Sequence, residues 1–330
     1  MLTLGIETSC DETAAAVVKN GNKILSSCIS SSVHLHSKFG GIIPEIASRF
    51  HLEYIMPVTQ TALKKAKVKL ADINLIAVTY TPGLVGSLLV GLSFAKSLSF
   101  ALNKPYIGIN HIHAHMFSAF LEKQNFRFPF IGLVVSGGHT SLAYVSDFNK
   151  IKIIGQTRDD AAGEAFDKVA KILGLGYPGG PRIDRLAQTI DKSPYKFSCA
   201  RLEDTLDFSF SGIKTDVLYT VQKLKKKTKL INAQIAYAFQ KEIIDLIAAK
   251  AIAACKRFHI KILSVGGGVA CNRYLRQQLL EQGMEEKVKV LLSKPEFCID
   301  NAAMIAALGH FLHKKGARSK YSLTAVSTNR

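Results

Sequence analysis

Short apolar runs separated by turn residues dominate the first part of the chain, and the same arrangement returns after residue 129. In each place the pattern predicts three strands, and the Asn20-Gly21 turn of the first set is typical of a hairpin. The strands are expected at residues 2–7, 14–19 and 23–27, then from 130 and at 141–145 and 151–156.

A second pattern also occurs twice. "INLIAVTYTPGLVGSLLVG" and "IKILSVGGGVACNRYL" each read as a strand, a glycine-rich turn and a helix. A long amphipathic helix precedes each of them, at 46–64 and at 233–256, because apolar residues recur there at helical spacing. The chain is therefore predicted to hold two copies of a βββαβα unit, which form two related α/β lobes with a central cleft.

We expect residues 1–129 to form the N-terminal lobe and residues 130–330 the C-terminal lobe. The last helix, at about 300–315, is able to pack back on the first lobe. Ligands of such sheets bind beyond the carboxyl ends of the strands. The predicted functional loops are Ser9–Thr13, Pro82–Gly86, Ser136–Thr140 and Gly266–Asn272.

Composition narrows the class of protein. The chain has 330 residues, of which 48% are hydrophobic, so a globular protein with a large core is expected. The apolar run at 84–95 stops at Lys96 and is read as a buried core helix, too short to span a bilayer. No signal peptide is recognised, and we expect a cytoplasmic protein. The six cysteines are expected to be free thiols, and the absence of a CxxC pair excludes a zinc ribbon on spacing alone.

The formal net charge of +18 favours a polyanionic partner such as a nucleic acid, although a generally basic proteome would give the same balance. Lysines are clustered at 64–69, at 223–229 and near 313–320. The sequence contains no RRM, KH or zinc-finger pattern, so binding by surface shape and charge is expected.

The run "NHIHAHM" carries three histidines within five residues. Residues four apart share a helix face, so His111 and His115 can bind one metal while His113 points away. The apolar spacing that follows favours a helix over a strand here. Asp300 is a candidate third ligand, with an N-cap as the alternative reading. Two histidines and an aspartate suit iron(II), and also zinc or manganese.

Other candidates lie in the predicted loops. Asp11 and Glu12 are adjacent carboxylates that could act as a base, or simply form a solvated turn. The glycines of "VVSGGHT" and "SVGGGVACN" allow backbone amides to approach a phosphate, although both segments could be ordinary turns. Asp167 lies off the apolar stripe of its helix, and composition alone favours a solvated residue there.

As a set, the motifs resemble one known family over roughly residues 1–315. They are "GIETSCDET", "HSKFGGIIPEIASRFH", "TPGLVGSLLVG", "NHIHAH", "LVVSGGHT", "GEAFDKVAK", "GYPGGP", "FSFSGIKT" and "SVGGGVACN". They closely resemble the bacterial tRNA N6-adenosine threonylcarbamoyltransferases, which were long described as glycoproteases.

The resemblance implies the duplicated actin, Hsp70 and sugar-kinase (ASKHA) fold. It implies transfer of a threonylcarbamoyl group from threonylcarbamoyl-AMP to N6 of adenosine 37, in tRNAs reading codons that begin with A. It also implies a paralogous partner subunit and a small P-loop ATPase subunit, of the TsaB and TsaE types, and no membrane partner.

By the same resemblance, His111, His115 and Asp300 hold one divalent metal, with iron(II) expected and zinc as the alternative. Asp11 and Glu12 occupy the places of the family's functionally needed acids. A tyrosine ligand of archaeal relatives has no counterpart, because phenylalanines stand at 126, 128 and 130, so three ligands are expected. The adenylate-binding residues implied are Val134, Val135, Ser136, Gly137, Gly138, Asp167, Gly180, Asp184 and Asn272.

Three other functions fit parts of the sequence. A metalloprotease would need a glutamate beside the first histidine, where Ile112 stands. A small-molecule kinase of the same fold would bind ATP in the same cleft, but a histidine pair is unusual for it. A non-catalytic paralogous subunit would lack the histidine motif, which this chain retains.

Overall fold

The computed structural model describes residues 1–121, 126–226 and 228–328. It divides the chain into two compact units. The first contains Met1–Phe126 and Ile299–Arg330, and the second contains Arg127–Cys298.

The first unit is built on a five-stranded sheet. Its central strands are nearly all apolar and buried, as expected for strands covered on both faces. In chain order its elements are β1 (Leu2–Glu7), β2 (Glu12–Lys19), β3 (Lys23–Ser31), α1 (Val33–His36), α2 (Pro44–Ala66), β4 (Leu75–Thr81), α3 (Val85–Leu102), β5 (Tyr106–Asn110) and α4 (His111–Phe117).

The second unit repeats the plan with longer helices. Its elements are β6 (Phe130–Val135), β7 (Thr140–Asp147), β8 (Lys150–Gln156), α5 (Ala162–Ile172), α6 (Gly180–Ala187), α7 (Ser211–Gln222), α8 (Lys229–Arg257), β9 (Ile262–Gly266), α9 (Arg273–Glu285), β10 (Lys289–Leu292) and α10 (Pro295–Cys298). The final helix, α11 (Ala302–Lys314), belongs to the first unit.

The two sheets have the same topology. The strand order is β3-β2-β1-β4-β5 in the first and, read from the corresponding edge, β8-β7-β6-β9-β10 in the second. In each sheet the first three strands are antiparallel neighbours and the remaining pairs are parallel. The predicted duplication is therefore confirmed. The predicted strands and helices are present, with ends displaced by a few residues, such as β3, which continues to Ser31.

Helix α11 packs on β1, and the contact depends on small residues. A side chain at Gly5 of β1 would meet the backbone of Ala302 and the side chain of Ala306. The chain that follows α11 stays with the same sheet, since Val326 donates its amide hydrogen to the carbonyl of Tyr80 at 2.9 Å. Residues 299–330 thus lie in the first unit, whereas the sequence assigned 130–330 to the second lobe and expected only the helix near 300–315 to pack back.

Helix α3 differs from the sequence prediction. The helix continues past Lys96 to Leu102, and the Lys96 ammonium donates to the carbonyl of Leu323. With 18 residues and a mean hydropathy of 1.6, it is long and apolar enough to cross a membrane by length and composition alone. Leu92 and Ala95 of α3 pack in the core of the first unit, so the predicted core helix is present, but it is longer than expected and only 33% of it is buried.

Candidate functional site

Helix α4 begins at the histidine run. Asn110 caps the helix by accepting the amide hydrogen of His113 at 3.0 Å, and this start places His111 and His115 one turn apart. Asp300 lies just before α11. The N-cap of α11 is Asn301, whose side chain accepts the amide hydrogen of Met304, so the alternative reading of Asp300 as an N-cap is wrong.

His111, His115 and Asp300 converge. Nε2 of His115 lies 3.1 Å from Oδ1 of Asp300, and Nε2 of His111 lies 3.4 Å from the same oxygen. One potential ligand atom from each residue lies within 4.8 Å of the others. The imidazole planes are perpendicular, at 89°, and both histidines are buried. The group combines two nitrogen donors with one carboxylate oxygen.

The electrostatics of this group are dominated by the carboxylates around His111. Burial alone would lower the pKa of His111, but Asp300 and Glu7 raise it well above its usual range. Burial alone would raise the pKa of Asp300, yet the imidazoles of His111 and His115 hold it far below its usual range. A positive charge between these carboxylates is thus favoured, and a divalent cation supplies the same charge. The donor set therefore fits a metal ion.

Glu7 is a member of this cluster that the sequence prediction did not include. It ends β1 and is fully buried, with Oε2 at 2.9 Å from Nδ1 of His111. The available signal was an ionisable residue at the end of a mostly apolar strand, which requires a buried partner.

His113 lies outside the group of potential ligand atoms, in agreement with the helical spacing. Burial lowers its pKa to about 4, so the imidazole is neutral at physiological pH.

Asp11 and Glu12 follow the first strand of the same unit. The backbone carbonyl of Asp11 accepts hydrogen bonds from both the amide and the hydroxyl of Ser32, at 3.0 and 2.8 Å, which fixes the loop. The carboxylate of Glu12 accepts a hydrogen bond from the hydroxyl of Ser31 at 3.2 Å. Burial and the neighbouring Asp11 raise the pKa of Glu12 well above its usual range. A proton on Glu12 is therefore stabilised.

In the second unit, Val134 and Val135 are buried in β6 and the loop Ser136–Thr140 follows them. The loop is a tight turn, because the amide of Ser136 donates to the carbonyl of His139 at 2.8 Å. Gly137 and Gly138 at its tip are exposed. Their backbone can approach a ligand without obstruction, since no neighbour lies within 4 Å of either Cβ position.

Asp167, Gly180 and Asp184 are grouped around the start of α6. The carboxylate of Asp167 accepts the amide hydrogen of Gly179 at 2.7 Å, so Asp167 orders this helix start and is not merely solvated. Oδ1 of Asp184 is buried and has no hydrogen-bond partner among the described residues. An unpaired buried carboxylate oxygen is costly, and a ligand hydroxyl would satisfy it.

Asn272 is the N-cap of α9. Its side-chain oxygen accepts the amide hydrogen of Leu275 at 2.9 Å, and its side-chain nitrogen donates to Gln240 at 2.8 Å. The residue is buried, and both of its polar groups are used by the fold. A role for this side chain toward a ligand would depend on its second amide hydrogen.

Known proteins resemble this chain in sequence over nearly all of its length. The family model for tRNA N6-adenosine threonylcarbamoyltransferase matches residues 23–307. The curated relative from Dictyoglomus turgidum is 50% identical over 98% of this chain and 97% of its own length. The relative from Clostridium perfringens is 51% identical over 98% of this chain and 96% of its own. Both relatives carry the name of the matching family.

Solved structures resemble the fold at low sequence identity. HypF from T. kodakarensis gives a TM-score of 0.65 at 14% identity, with 95% of this chain and 48% of that chain covered. A ROK hexokinase from Thermus thermophilus gives 0.51 at 16% identity, with 96% and 100% covered. These similarities confirm the predicted α/β fold of the sugar-kinase type. The chain therefore belongs to the tRNA N6-adenosine threonylcarbamoyltransferases, a family of acyltransferases that modify tRNA.

Proposed function

We propose that this protein transfers the threonylcarbamoyl group of threonylcarbamoyl-AMP to N6 of adenosine 37, in tRNAs reading codons that begin with A. The new bond joins N6 to the carbamoyl carbon. The bond from that carbon to the phosphate oxygen breaks, AMP leaves, and N6 loses one proton. Membership of the family supports the tRNA reaction, and the residues below support its finer description.

The observation that carries the proposal is the convergence of His111, His115 and Asp300 on one point. We assign them to one divalent ion, iron(II) in the first place, with zinc as an ion that fits the same donors. When bound, such an ion supplies Lewis-acid polarisation of the transferred carbonyl and a hold on the threonyl oxygens.

The AMP part of the donor is assigned to the loops of the second unit. The exposed backbone of Gly137 and Gly138 suits a phosphate, because amides directed at an oxyanion stabilise its charge. The unpaired carboxylate oxygen of Asp184 suits a ribose hydroxyl. Val134, Val135, Ser136, Asp167, Gly180 and Asn272 complete the proposed adenylate-binding set.

The pair of carboxyl groups of Asp11 and Glu12 is the proposed proton acceptor. The exocyclic amine of adenine is a weak nucleophile, so its position matters most, and its proton must be removed as the new bond forms. Burial and Asp11 raise the pKa of Glu12, so within the pair Glu12 holds a proton and Asp11 is left to accept the proton of N6. Glu12 would then position Asp11, its neighbour in the loop.

The charge of the surface supports the choice of tRNA. The lysines at 64–69 are exposed, as are the described ones at 223–229, where residue 227 lies outside the described part of the chain. Exposed lysines bind phosphates through counterion release. The target adenine would have to leave its stack to reach the reacting groups, as in other enzymes that act on bases.

An exposed apolar surface supports a protein partner. Leu52 and Met56 are exposed one turn apart on α2, by 67% and 48%. Val85 and Leu89 are exposed one turn apart on α3, by 46% and 47%, and the two helices pack together. We propose this surface for the paralogous partner subunit, and we expect the small P-loop ATPase subunit to join the assembly.

The rival functions lack support at particular residues. Ile112 is buried next to His111, where a metalloprotease would place its glutamate base. A kinase reaction of this fold does not explain why two buried histidines and an aspartate bring potential metal-ligand atoms close together. The fold alone, shared with the hexokinase, does not select between chemistries.

The direct test combines the purified chain, the partner subunits, threonylcarbamoyl-AMP and unmodified tRNA. We expect the modified nucleoside by mass spectrometry of digested tRNA, together with one equivalent of AMP. Release of AMP without modified nucleoside would contradict the transfer.

The metal assignment is tested by His111→Ala and His115→Ala. Each is expected to remove the bound metal, measured by elemental analysis, and to lower transfer by at least about a thousandfold, since a lost ligand disables the whole group. The matched control is His113→Gln on the same helix, which should retain the metal. Full activity in a metal-free His111→Ala protein would show that the metal has no role.

A further inference from the structure

Glu7 occupies an unusual position for a carboxylate. It ends β1, the middle strand of the first sheet, and its side chain is fully buried. The four residues before it, Thr3–Ile6, are buried as well. A carboxylate at such a place is retained only if the surrounding groups satisfy its oxygens.

Two groups besides His111 donate hydrogen bonds to the Glu7 carboxylate. Oε1 accepts the amide hydrogen of Ser9 at 2.6 Å, from the loop that follows β1. Oε2 accepts the hydroxyl hydrogen of Thr79 at 2.6 Å. Thr79 lies on the parallel neighbour β4, where the pairing of Ile6 with Val78 brings the next residues of the two strands side by side. The orientation of the carboxylate is therefore fixed before any contact with His111 is considered.

The fixed carboxylate faces the imidazole of His111. Oε2 of Glu7 lies 2.9 Å from Nδ1, and the hydroxyl of Ser9 lies 3.2 Å from the same nitrogen. A carboxylate only accepts hydrogen bonds, so Nδ1 carries the hydrogen. In the neutral ring, Nε2 then presents its lone pair, and this atom faces Asp300 at 3.4 Å.

His115 differs from His111 in the hydrogen-bond partner of its Nδ1 atom. Its Nε2 lies 3.1 Å from Oδ1 of Asp300, but its Nδ1 is buried without a hydrogen-bond partner in the described chain. Nδ1 of His111 is thus oriented by a carboxylate of the central strand, whereas Nδ1 of His115 has no such partner among the described residues.

We infer that Glu7 is a positioning residue of the metal group: it fixes the ring orientation and the tautomer of His111 and thereby sets the affinity for the ion. This inference rests on the metal binding proposed above. Outer carboxylates of this kind generally change metal affinity by 10–100-fold when they are removed. Glu7 itself does not touch the ion or the substrate.

The test measures zinc affinity of the full-length protein, by competition with a chromophoric chelator in the absence of substrate. We expect Glu7→Gln to bind Zn²⁺ roughly 10–100-fold more weakly, because an amide cannot accept from Ser9, Thr79 and His111 together. Glu7→Asp should fall between Glu7→Gln and the wild type. Thr79→Val keeps the shape and the carboxylate but loses one donor, and a smaller loss is expected.

A second measurement guards against misfolding of Glu7→Gln. In the wild-type protein, ¹⁵N-resolved spectra of the histidines should show His111 protonated on Nδ1 and bound through Nε2 when Zn²⁺ is present. Metal bound through Nδ1 of His111, or unchanged zinc affinity in folded Glu7→Gln, would overturn the inference.

The variant His111→Ala separates this inference from the proposed function. If His111→Ala loses zinc while Glu7→Gln binds it as tightly as the wild type, only the role of Glu7 is wrong. If His111→Ala retains zinc at the wild-type affinity, the metal group itself is wrong.

Discussion

The two units share a sheet topology but place different chemistry at the ends of corresponding strands. In the first unit, β1 ends in the buried carboxylate Glu7, and β5 leads directly into the histidines of α4. In the second, β6 ends in the apolar Val135 and leads into the glycine loop, while β10 leads only to a short helix. At these strand ends, the first unit therefore has ionisable side chains, whereas the second unit has the exposed backbone of a glycine loop.

The difference indicates that the two copies of a duplicated fold can bind different chemical groups. In α/β folds of this kind, ligands generally bind beyond the carboxyl ends of the strands, because the loops gather there. Ionisable side chains suit a cation and a proton, whereas exposed glycine amides suit a phosphate. The two kinds of site need different surroundings, since buried charges require partners and glycine loops require close packing of the backbone.

The largest structural effect is expected where the second unit depends on backbone packing. Gly267 has φ +92°, and a Cβ there would meet the carbonyl of Val135. Gly267→Ala should lower the free energy of unfolding by about 2–4 kcal/mol, because strain and overlap add. The measurement is the melting temperature by differential scanning calorimetry.

Two further glycines make this prediction sharper. Gly268→Ala is the matched control, since no neighbour lies within 4 Å of its Cβ position. Its melting temperature should be close to that of the wild type. Gly83 holds the corresponding turn of the first unit, with a Cβ position 2.5 Å from the carbonyl of Ser9 but no positive φ. Gly83→Ala should therefore cost less than Gly267→Ala. Equal melting temperatures of all three variants would show that overlap of the new Cβ atom with neighbouring backbone does not determine stability here.

Acid is expected to weaken the first unit before the second. The first unit contains all of the ten histidines except His139 and His259. His310 of α11 is fully buried, and neither ring nitrogen has a hydrogen-bond partner among the described residues. Burial lowers its pKa to about 4. By contrast, the buried ammonium of Lys250 in the second unit donates to two carbonyls, of Leu202 and Thr205.

The direction in which stability changes with pH follows from the pKa of His310 in the folded chain and in the unfolded chain. Between about pH 6.5 and 4 the unfolded chain binds a proton on this residue and the folded chain does not. Stability is therefore fully present above pH 6.5 and is lost as the pH falls toward 4, by roughly 1–3 kcal/mol. Melting curves across this range should show a shallower loss for His310→Leu. An unchanged slope in that variant would assign the acid sensitivity to other groups.

The sequence predicted much of this architecture because the relevant signals are periodic. The repeated strand pattern gave the duplicated sheets, and the four-residue spacing placed His111 and His115 on one helix face. Other features depend on contacts between distant segments. The pairing of Glu7 with His111 spans 104 positions of the chain, and the contact of Lys96 with the carbonyl of Leu323 spans 227. No local pattern encodes such contacts.

The smallest effects are expected at two asparagine caps, one in each unit. Asn301 caps α11 beside Asp300, and Asn272 caps α9 after the second glycine turn. Replacing either by Ala should lower the free energy of unfolding by about 1 kcal/mol, and Asn301→Ser should recover most of it because serine is also a good cap. Calorimetry of the three variants measures these differences.

Variants of the two caps also test whether the first unit binds the ion and the second unit binds AMP. If the first unit holds the ion and the second holds AMP, Asn301→Ala should weaken zinc binding by displacing Asp300 and leave AMP binding unchanged. Asn272→Ala should show the opposite pattern, measured by calorimetric titration of each ligand. Because both variants lose the same kind of hydrogen bond, a general loss of stability would affect the two ligands alike. Parallel losses of zinc and AMP in both variants would therefore contradict the division, whereas a crossed pattern would locate each ligand in its own unit.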